Sequence, residues 1–288
     1  MAQVSVIIPT YNRARKVARA VASVLYQTYT DYELLVVDDG SRDHTAETLS
    51  LFPPWVIRLV HQENRGVSAA RNTGIKASRA PLIAFLDSDD YWLPEKLAVQ
   101  VSFFQAHPKA MACQTQEIWI RKGLRVNPRK KHLKPSGNVF APSLKLCLVS
   151  PSATMVRRSL LDEVDLFDEA LPVCEDYDLW LRVSCKYPIH LIDKDLVIKE
   201  GGAPDQLSKS LIGMDRFRIK SLVKIIESGC LTPQQRDHAL RELRAKCDVY
   251  GKGCMRRGKK EEGEYYLQLP LNITKEHDKG NLIILDIA

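Results

Sequence analysis

The residues best equipped to do chemistry in this chain are carboxylates at the ends of short apolar runs. Val36-Val37-Asp38-Asp39-Gly40-Ser41 places two acids after one run, and Phe85-Leu86-Asp87-Ser88-Asp89-Asp90 places three after another. Ligands of open α/β sheets bind beyond the carboxyl ends of strands, so both groups fall where a substrate would be met. In an extended chain Asp87 and Asp89 project to one side with Ser88 opposite, which suits two carboxylates sharing a divalent cation. Alone, that cluster repels itself. A bound Mg²⁺ or Mn²⁺ turns repulsion into attraction and would also hold a diphosphate. The seven cysteines contain no Cys-x-x-Cys pair and the seven histidines are scattered. Structural zinc and thioredoxin-like chemistry are thereby disfavoured, and any metal is expected on oxygen ligands.

Elements that would position these acids can be read from the apolar pattern. Val4–Ile8, Leu34–Val37, Val56–Val60 and Leu82–Leu86 read as buried strands. Asn12 can cap a helix whose Val17, Val21, Val24 and Leu25 share one face, and Ser41 or Asp43 can open another through Leu51. Strands separated by helices imply right-handed crossovers and a mostly parallel sheet. Pro94 suits the first turn of a helix that stops at His107-Pro108, and a further helix follows Pro172 with Leu179, Trp180 and Val183 buried. After Gly201-Gly202 the sequence becomes charged and helix-prone, with helices over Leu211–Ser228 and Gln234–Tyr250, the second opened by Thr232-Pro233. The expected organisation is a sheet domain over residues 1–210 and a helical extension over 211–288, with no clear period after Leu271.

A chain of 288 residues, 45% hydrophobic and 27% charged, has the composition of a folded globular protein rather than a disordered or disulfide-stapled one. With neither a bilayer-length apolar run nor a signal-like N-terminus, the expected location is cytoplasmic. The net charge of +7 favours polyanionic partners without choosing among nucleic acid, an anionic bilayer and phosphorylated substrates. Seven Lys or Arg and no acid lie between Arg121 and Lys134, which reads as an exposed, solvated loop; a second reading has it draw an anionic acceptor. Asp38 reads equally as turn-former or ligand. For Asp90 and Asp178 capping or pairing at a helix start is preferred, and for Tyr177 and Trp180 a place in the core.

Five strings in order resemble one family: Val4-Ser5-Val6-Ile7-Ile8-Pro9-Thr10-Tyr11-Asn12, Val36 to Ser41, Asn64-Arg65-Gly66 with Ala70-Arg71-Asn72, Asp87-Ser88-Asp89, and Cys174-Glu175-Asp176-Tyr177-Asp178-Leu179-Trp180. The chain resembles, over about residues 1–205, the inverting, nucleotide-sugar-dependent glycosyltransferases of family 2. The resemblance implies a GT-A fold, an α/β architecture with a Rossmann-like mixed sheet flanked by helices. It implies that Pro9, Thr10, Tyr11 and Asn12 border the nucleotide sugar, with Tyr11 available for stacking and Asp39 accepting a base N–H. Gly66 would allow close approach near ribose and phosphates, and Arg71 would face the diphosphate. Asp89, with Asp87, would hold Mg²⁺ or Mn²⁺, Asp87 alternatively meeting the ribose. Asp176 would be the general base, with Glu175 the near alternative.

The donor implied is a nucleotide-diphosphate sugar, UDP-linked by preference, and the acceptor a glycan or a lipid-linked glycan. Nucleic acid is not expected as a partner, peripheral contact with the cytoplasmic membrane face is left open, and the oligomeric state is not specified. Many relatives supply a histidine after the Glu-Asp helix, whereas Glu200 to Gln206 contains none, leaving Asp205 or water as the third metal contact. No Gln-x-x-Arg-Trp motif of processive synthases is present, which favours transfer of a single residue. A non-catalytic sugar-nucleotide-binding module and a nucleotidyltransferase are the alternatives. The latter would show a Gly-rich basic loop where this chain has Pro9-Thr10-Tyr11-Asn12.

Overall fold

Runs of valine, isoleucine and leucine that cannot face water form the centre of the sheet in the computed structural model, which describes residues 2–127, 129–201 and 213–278. Strands β1 (Val4–Thr10), β2 (Tyr32–Asp38), β3 (Arg58–His61) and β4 (Leu82–Phe85) pair in parallel. Every residue of β1 is buried, as both faces of a parallel sheet require. Helices α1 (Ala14–Leu25), α2 (Thr45–Ser50) and α3 (Val67–Ala77) make the crossovers. Asn12 does not cap α1. It takes a left-handed conformation (φ 51°), and Thr45 at the start of α2 and Asp43 just before it accept the N–H groups of Arg13 and Ala14 instead.

The remaining elements are β5 (Asp90–Trp92), α4 (Lys96–Ala106), β6 (Ala112–Arg121), β7 (Leu124–Val126), α5 (Phe140–Ser143), β8 (Thr154–Arg157), α6 (Arg158–Val164), α7 (Glu175–Ser184), β9 (Ile189–Gly201), α8 (Asp215–Glu227), α9 (Pro233–Arg256) and α10 (Lys260–Asp278). The sheet order is β3-β2-β1-β4-β8-β6-β9-β5, with β7 folded back on β6. Because β8 runs antiparallel to both β4 and β6, the sheet is mixed. Strands β6 and β9 pair in parallel but slip register around Gln116, where Thr115 faces Ile192 yet Gln116 faces Asp195 and Glu117 faces Val197.

One face of the sheet packs Val6, Ile8 and Val36 on α1 and α4, and the other packs Ile7, Ile83 and Phe85 on α6 and α7. A third apolar cluster joins Phe140, Tyr177 and Leu181 to Ile219, Leu222 and Leu243, so α8 and α9 share a core with α7. The expected boundary between residues 210 and 211 lies outside the described residues. The Thr232 side chain accepts from the Gln235 N–H while Gln235 returns the bond, a capping box opened by Pro233 as the sequence indicates.

Helix α9 runs past the expected stop at Tyr250 to Arg256, and α10 begins at Lys260 and extends into the stretch after Leu271 that has no clear sequence period. Both follow from close contact between them: a Cβ on Gly251 would stand 2.9 Å from the Gly263 carbonyl oxygen and 2.8 Å from Leu267 Cγ. Glycine usually weakens a helix, so Gly251→Ala would stabilise an unpacked one by about 0.5–1 kcal/mol. Here the same change is expected to destabilise the protein by about 1–3 kcal/mol through overpacking, measurable as a lower urea midpoint with unchanged slope.

Candidate active site

The carboxyl ends of β1, β2 and β4 and the first turn of α7 open on one cleft of about 820 Å³. Pro9, Thr10, Tyr11 and Asn12 form one wall, with Tyr11 43% exposed and its ring free to stack. Thr10 Oγ1 is buried without a protein partner, a polar atom that a ligand would satisfy. Asn12 ties this wall to the neighbouring loop, its N–H donating to Ser41 Oγ at 2.9 Å and its Oδ1 accepting from Arg42 N at 2.8 Å.

Asp39 organises the opposite wall. Its carboxylate accepts from Gln62 Nε2 at 2.6 Å, Arg65 N at 2.9 Å and Gly66 N at 2.8 Å. Gly66 holds φ 88°, a conformation that glycine adopts without strain, and α3 begins immediately after it. An ionised carboxylate offers about four acceptor sites, so one remains for a base N–H. Asp38 acts as a turn-former, its Oδ1 accepting from Ser41 N at 3.1 Å, while His61 Nδ1 lies 3.3 Å from its Oδ2.

The buried helix α3 carries Arg71 into the centre of the site. Arg71 donates from Nη2 to Asp87 Oδ1 and from Nη1 to Glu175 Oε1, both at 2.7 Å, with its guanidinium carbon 5.0 Å from the Phe167 ring centroid. Burial works against this charge, but Asp87 and Glu175 outweigh it and raise the Arg71 pKa. Arg71 lines the cleft with its guanidinium held between these two carboxylates. Each terminal nitrogen already gives one N–H to a carboxylate, and the buried Nε has no protein acceptor.

Asp87, Ser88 and Asp89 all line the cleft, but strand alternation is not what brings them there. The segment turns between β4 and β5, closed by Asp90 N donating to Asp87 O at 2.9 Å, because β5 must reverse to pair with β9. Burial and the neighbouring Asp87 charge raise the Asp89 pKa. That rise marks a pair of acids that would gain from a shared cation. Among the described residues no group of three His, Cys, Asp or Glu converges on a metal position. Two carboxylates completed by substrate phosphate oxygens suit Mg²⁺ or Mn²⁺, which use few protein ligands in phosphate sites; Asp87 and Asp89 fit that role. Asp205, the substitute third contact, lies outside the described residues.

Asp90 caps no helix. It is buried in β5, accepts from Ser152 Oγ at 2.7 Å, and is pushed well up by burial against the pull of Lys199. Lys199 is a cleft residue that the sequence did not reveal. Its Nζ donates to Ser150 Oγ at 3.0 Å and stands 4.0 Å from Asp90 Oδ2. Burial opposes its charge, yet Glu117, Asp90, Asp87 and Asp176 together raise its pKa. Trp119 and Arg121 at the end of β6 also line the cleft and were likewise not foreseen.

On α7, Glu175 and Asp176 face the same cleft across from Asp87 and Asp89. Burial, together with the Asp176 charge, outweighs Arg71 and pushes Glu175 up to about 6. Asp176 Oδ1 accepts from Tyr177 N at 2.7 Å. Cys147 is a neutral neighbour, its thiol pushed well up by burial and by Asp176. Asp178 pairs with Arg182 at 2.8 Å and Lys224 at 3.1 Å, and Tyr177 and Trp180 are core residues, all as expected.

The pattern for glycosyl transferase family 2 matches residues 5–165. The chain belongs to that family. An uncharacterized glycosyltransferase of Rickettsia felis is 34% identical over 229 residues, a match covering 75% of this chain and 37% of that protein. A second, from Rickettsia conorii, gives the same two shares, so the chain spans little more than a third of these relatives. WfgD of Escherichia coli, named a UDP-Glc:alpha-D-GlcNAc-diphosphoundecaprenol beta-1,3-glucosyltransferase, is 32% identical over 216 residues, covering 75% of this chain and 81% of WfgD.

Among solved structures, S. aureus TarS 1-349 in complex with UDP-GlcNAc aligns at TM-score 0.71 and 17% identity, covering 100% of this chain and 95% of that one. The mannosyltransferase PcManGT from Pyrobaculum calidifontis, in complex with GDP-Man and Mn²⁺, aligns at 0.57 and 18% over 96% and 87%. These likenesses establish the GT-A fold of this family 2 protein.

Replacing Arg71 by methionine would leave Asp87 and Glu175 unpaired in a buried site, a loss expected to cost about 3–5 kcal/mol at pH 8. Burial raises the native Glu175 pKa and Arg71 pulls against that rise, leaving it at about 6, so without Arg71 the Glu175 of the folded variant takes up its proton at a higher pH than in the native protein. Acidification from pH 8 towards about pH 6 therefore stabilises the folded variant more than the native protein and is expected to shrink the deficit. Urea unfolding across pH 5–8 checks both the size and the direction.

Proposed function

We propose that this family 2 protein is an inverting glycosyltransferase that moves a sugar from a UDP-linked donor to a hydroxyl of a lipid-linked glycan. The observation that carries the reading is the meeting of Asp87 and Asp89 with Glu175 and Asp176 across one cleft, through Arg71. The names of WfgD and of the TarS complex support a UDP-sugar donor, and that of WfgD a diphosphate-linked acceptor.

In this reading Tyr11, Thr10 and Asp39 receive the base, with Pro9, Asn12 and Gly66 shaping the walls around the nucleotide. Asp176 takes the proton of the acceptor hydroxyl as it attacks the anomeric carbon. Glu175 is held by Arg71 and acts as a positioning residue, whereas Asp176 is free of the clamp. Attack from the face opposite the departing diphosphate inverts the anomeric centre. Asp87 and Asp89 would hold Mg²⁺ or Mn²⁺, which when bound neutralises charge on the leaving diphosphate. Lys199 adds a fixed cation to the same acidic floor. Among the described residues no helix is long and apolar enough to cross a membrane; the reading of a lipid-linked acceptor is what supports a peripheral position on the cytoplasmic membrane face.

Incubation with a panel of UDP-, TDP- and GDP-sugars and Mn²⁺, with nucleoside diphosphate release as readout, tests the proposal. Release from one donor, accelerated by a diphosphate-linked lipid glycan, is the expected result. Donor binding without release under any acceptor would instead establish a non-catalytic binding module. Asp176→Asn is expected to lower kcat by roughly 10²–10⁴-fold with nucleotide affinity retained. Asp89→Ala should lower turnover more than it weakens nucleotide binding, and near-normal metal-dependent turnover would remove Asp89 from the metal role.

A further inference from the structure

The lobe beyond the end of β6 remains unexplained by donor chemistry. Arg121, Lys122, Arg125, Arg129, Lys130 and Lys131 follow one another with no acid between them. Arg125 pairs with Asp195 at 3.2 Å, but among the described residues no carboxylate lies within ion-pair distance of Lys122, Arg129, Lys130 or Lys131. Arg121, Arg129 and Lys131 lie close enough to His132 that, after burial, they depress its imidazole pKa. Solvation alone would account for the cations but not for their apolar company. Leu124, at the tip of the β6–β7 hairpin, is 72% exposed, and Leu133 is 61% exposed. His132 packs on Trp119 with ring centroids 5.2 Å apart, and Trp119, Ile120 and Arg121 continue directly into the cleft wall.

We propose that this lobe, Lys122–Asn127 with Arg129–Leu133, docks the protein on an anionic lipid bilayer and so turns the mouth of the cleft toward a membrane-borne acceptor. Lysine and arginine near an anionic surface meet lipid phosphates, while aliphatic side chains among them enter the headgroup boundary. Nucleic acid would use the cations but has no use for exposed leucines, so the lipid surface is the favoured occupant. The end of β6 fixes the geometry, since one strand carries cleft residues and leads directly into the docking hairpin. The assignment deepens the reading of a lipid-linked acceptor and rests on it.

Lys134, the last base of the run, belongs to the interior instead. It pairs with Glu117 at 3.0 Å, and although burial opposes its charge, Lys134 and Lys199 hold Glu117 at about 2. This pair anchors the chain just after the lobe to β6, so the lobe stands on a fixed base.

Flotation of the full chain with vesicles of phosphatidylcholine containing 40 mol % phosphatidylglycerol, against phosphatidylcholine alone, tests the proposal at about 0.1 M salt, where charges are felt over about 10 Å. Binding to the anionic vesicles only is expected. Each lysine near such a surface is worth about a fivefold change in partitioning, so the triple variant Lys122→Gln, Lys130→Gln, Lys131→Gln should bind roughly a hundredfold less. Leu124→Ser with Leu133→Ser should also weaken binding, but leave its salt dependence intact. UDP affinity and nucleoside diphosphate release with a short water-soluble acceptor should be unchanged in both variants. No binding by the native chain, equal binding to neutral vesicles, wild-type binding by the triple variant, or equally tight binding to a single-stranded RNA oligomer would each overturn the assignment. If donor turnover persists in that case, the glycosyltransferase reading stands without it; if vesicles bind but no donor turns over, the reverse holds.

Discussion

Everything in the cleft is arranged about one buried guanidinium. Arg71 sits on a helix pressed against the sheet and reaches two carboxylates more than eighty residues apart in sequence, one after β4 and one opening α7. Without it the two carboxylates would repel each other. Removing an Arg from water is costly, and the cost is offset only when both terminal nitrogens meet well-placed anions. In the proposed function, the clamp would set the distance across which a donor phosphate and an acceptor hydroxyl face each other. Phe167, under the guanidinium plane, and Asn72, whose Oδ1 accepts from Phe167 N at 3.0 Å, fix the clamp from behind.

Support for this arrangement comes from outside the strands that carry the family motifs. Helix α7 is held on one side by the sheet core and on the other by the apolar cluster with α8 and α9. The helical extension is therefore a buttress for the helix that carries Glu175 and Asp176. Lys224 of α8 reaches Asp168 at 2.7 Å and Asp178 at 3.1 Å, linking the extension to the loop before α7 and to its first turn. Such links connect stability of the extension to geometry of the cleft, although among the described residues of the extension Met214 alone lines it.

How much of this could be read from residues alone depended on whether burial and composition agreed. Strands β1, β2 and β4 are continuous apolar runs, and the acids after them stood out for that reason. Strands β6 and β9 did not, because Gln114 and Thr115 are fully buried in β6 and His190, Asp193, Lys194 and Asp195 interrupt β9. Lys199 and Trp119 ride on those two strands and were missed with them. The partners of Arg71 were equally hidden, since a long-range ion pair leaves no trace in local spacing. Asp87 and Asp89 were paired for the wrong reason: a turn, not alternation along a strand, brings them to the cleft. In the basic run, Lys134 looked like its neighbours, and only its contact with Glu117 separates it from the exposed lobe.

The slipped register of β6 and β9 carries a consequence of its own. Side chains alternate between the two faces of a strand, so every residue of β9 after the irregularity owes its orientation to the number of residues looped out there. Losing one residue between Ile192 and Asp195 would rotate the rest of β9 by half a period, sending the ammonium of Lys199 to the side now filled by Ile198. The acidic floor would then face the Glu200 carboxylate where it now faces a cation, so the length of this small irregularity, as much as any side chain, keeps the electrostatics of the cleft balanced.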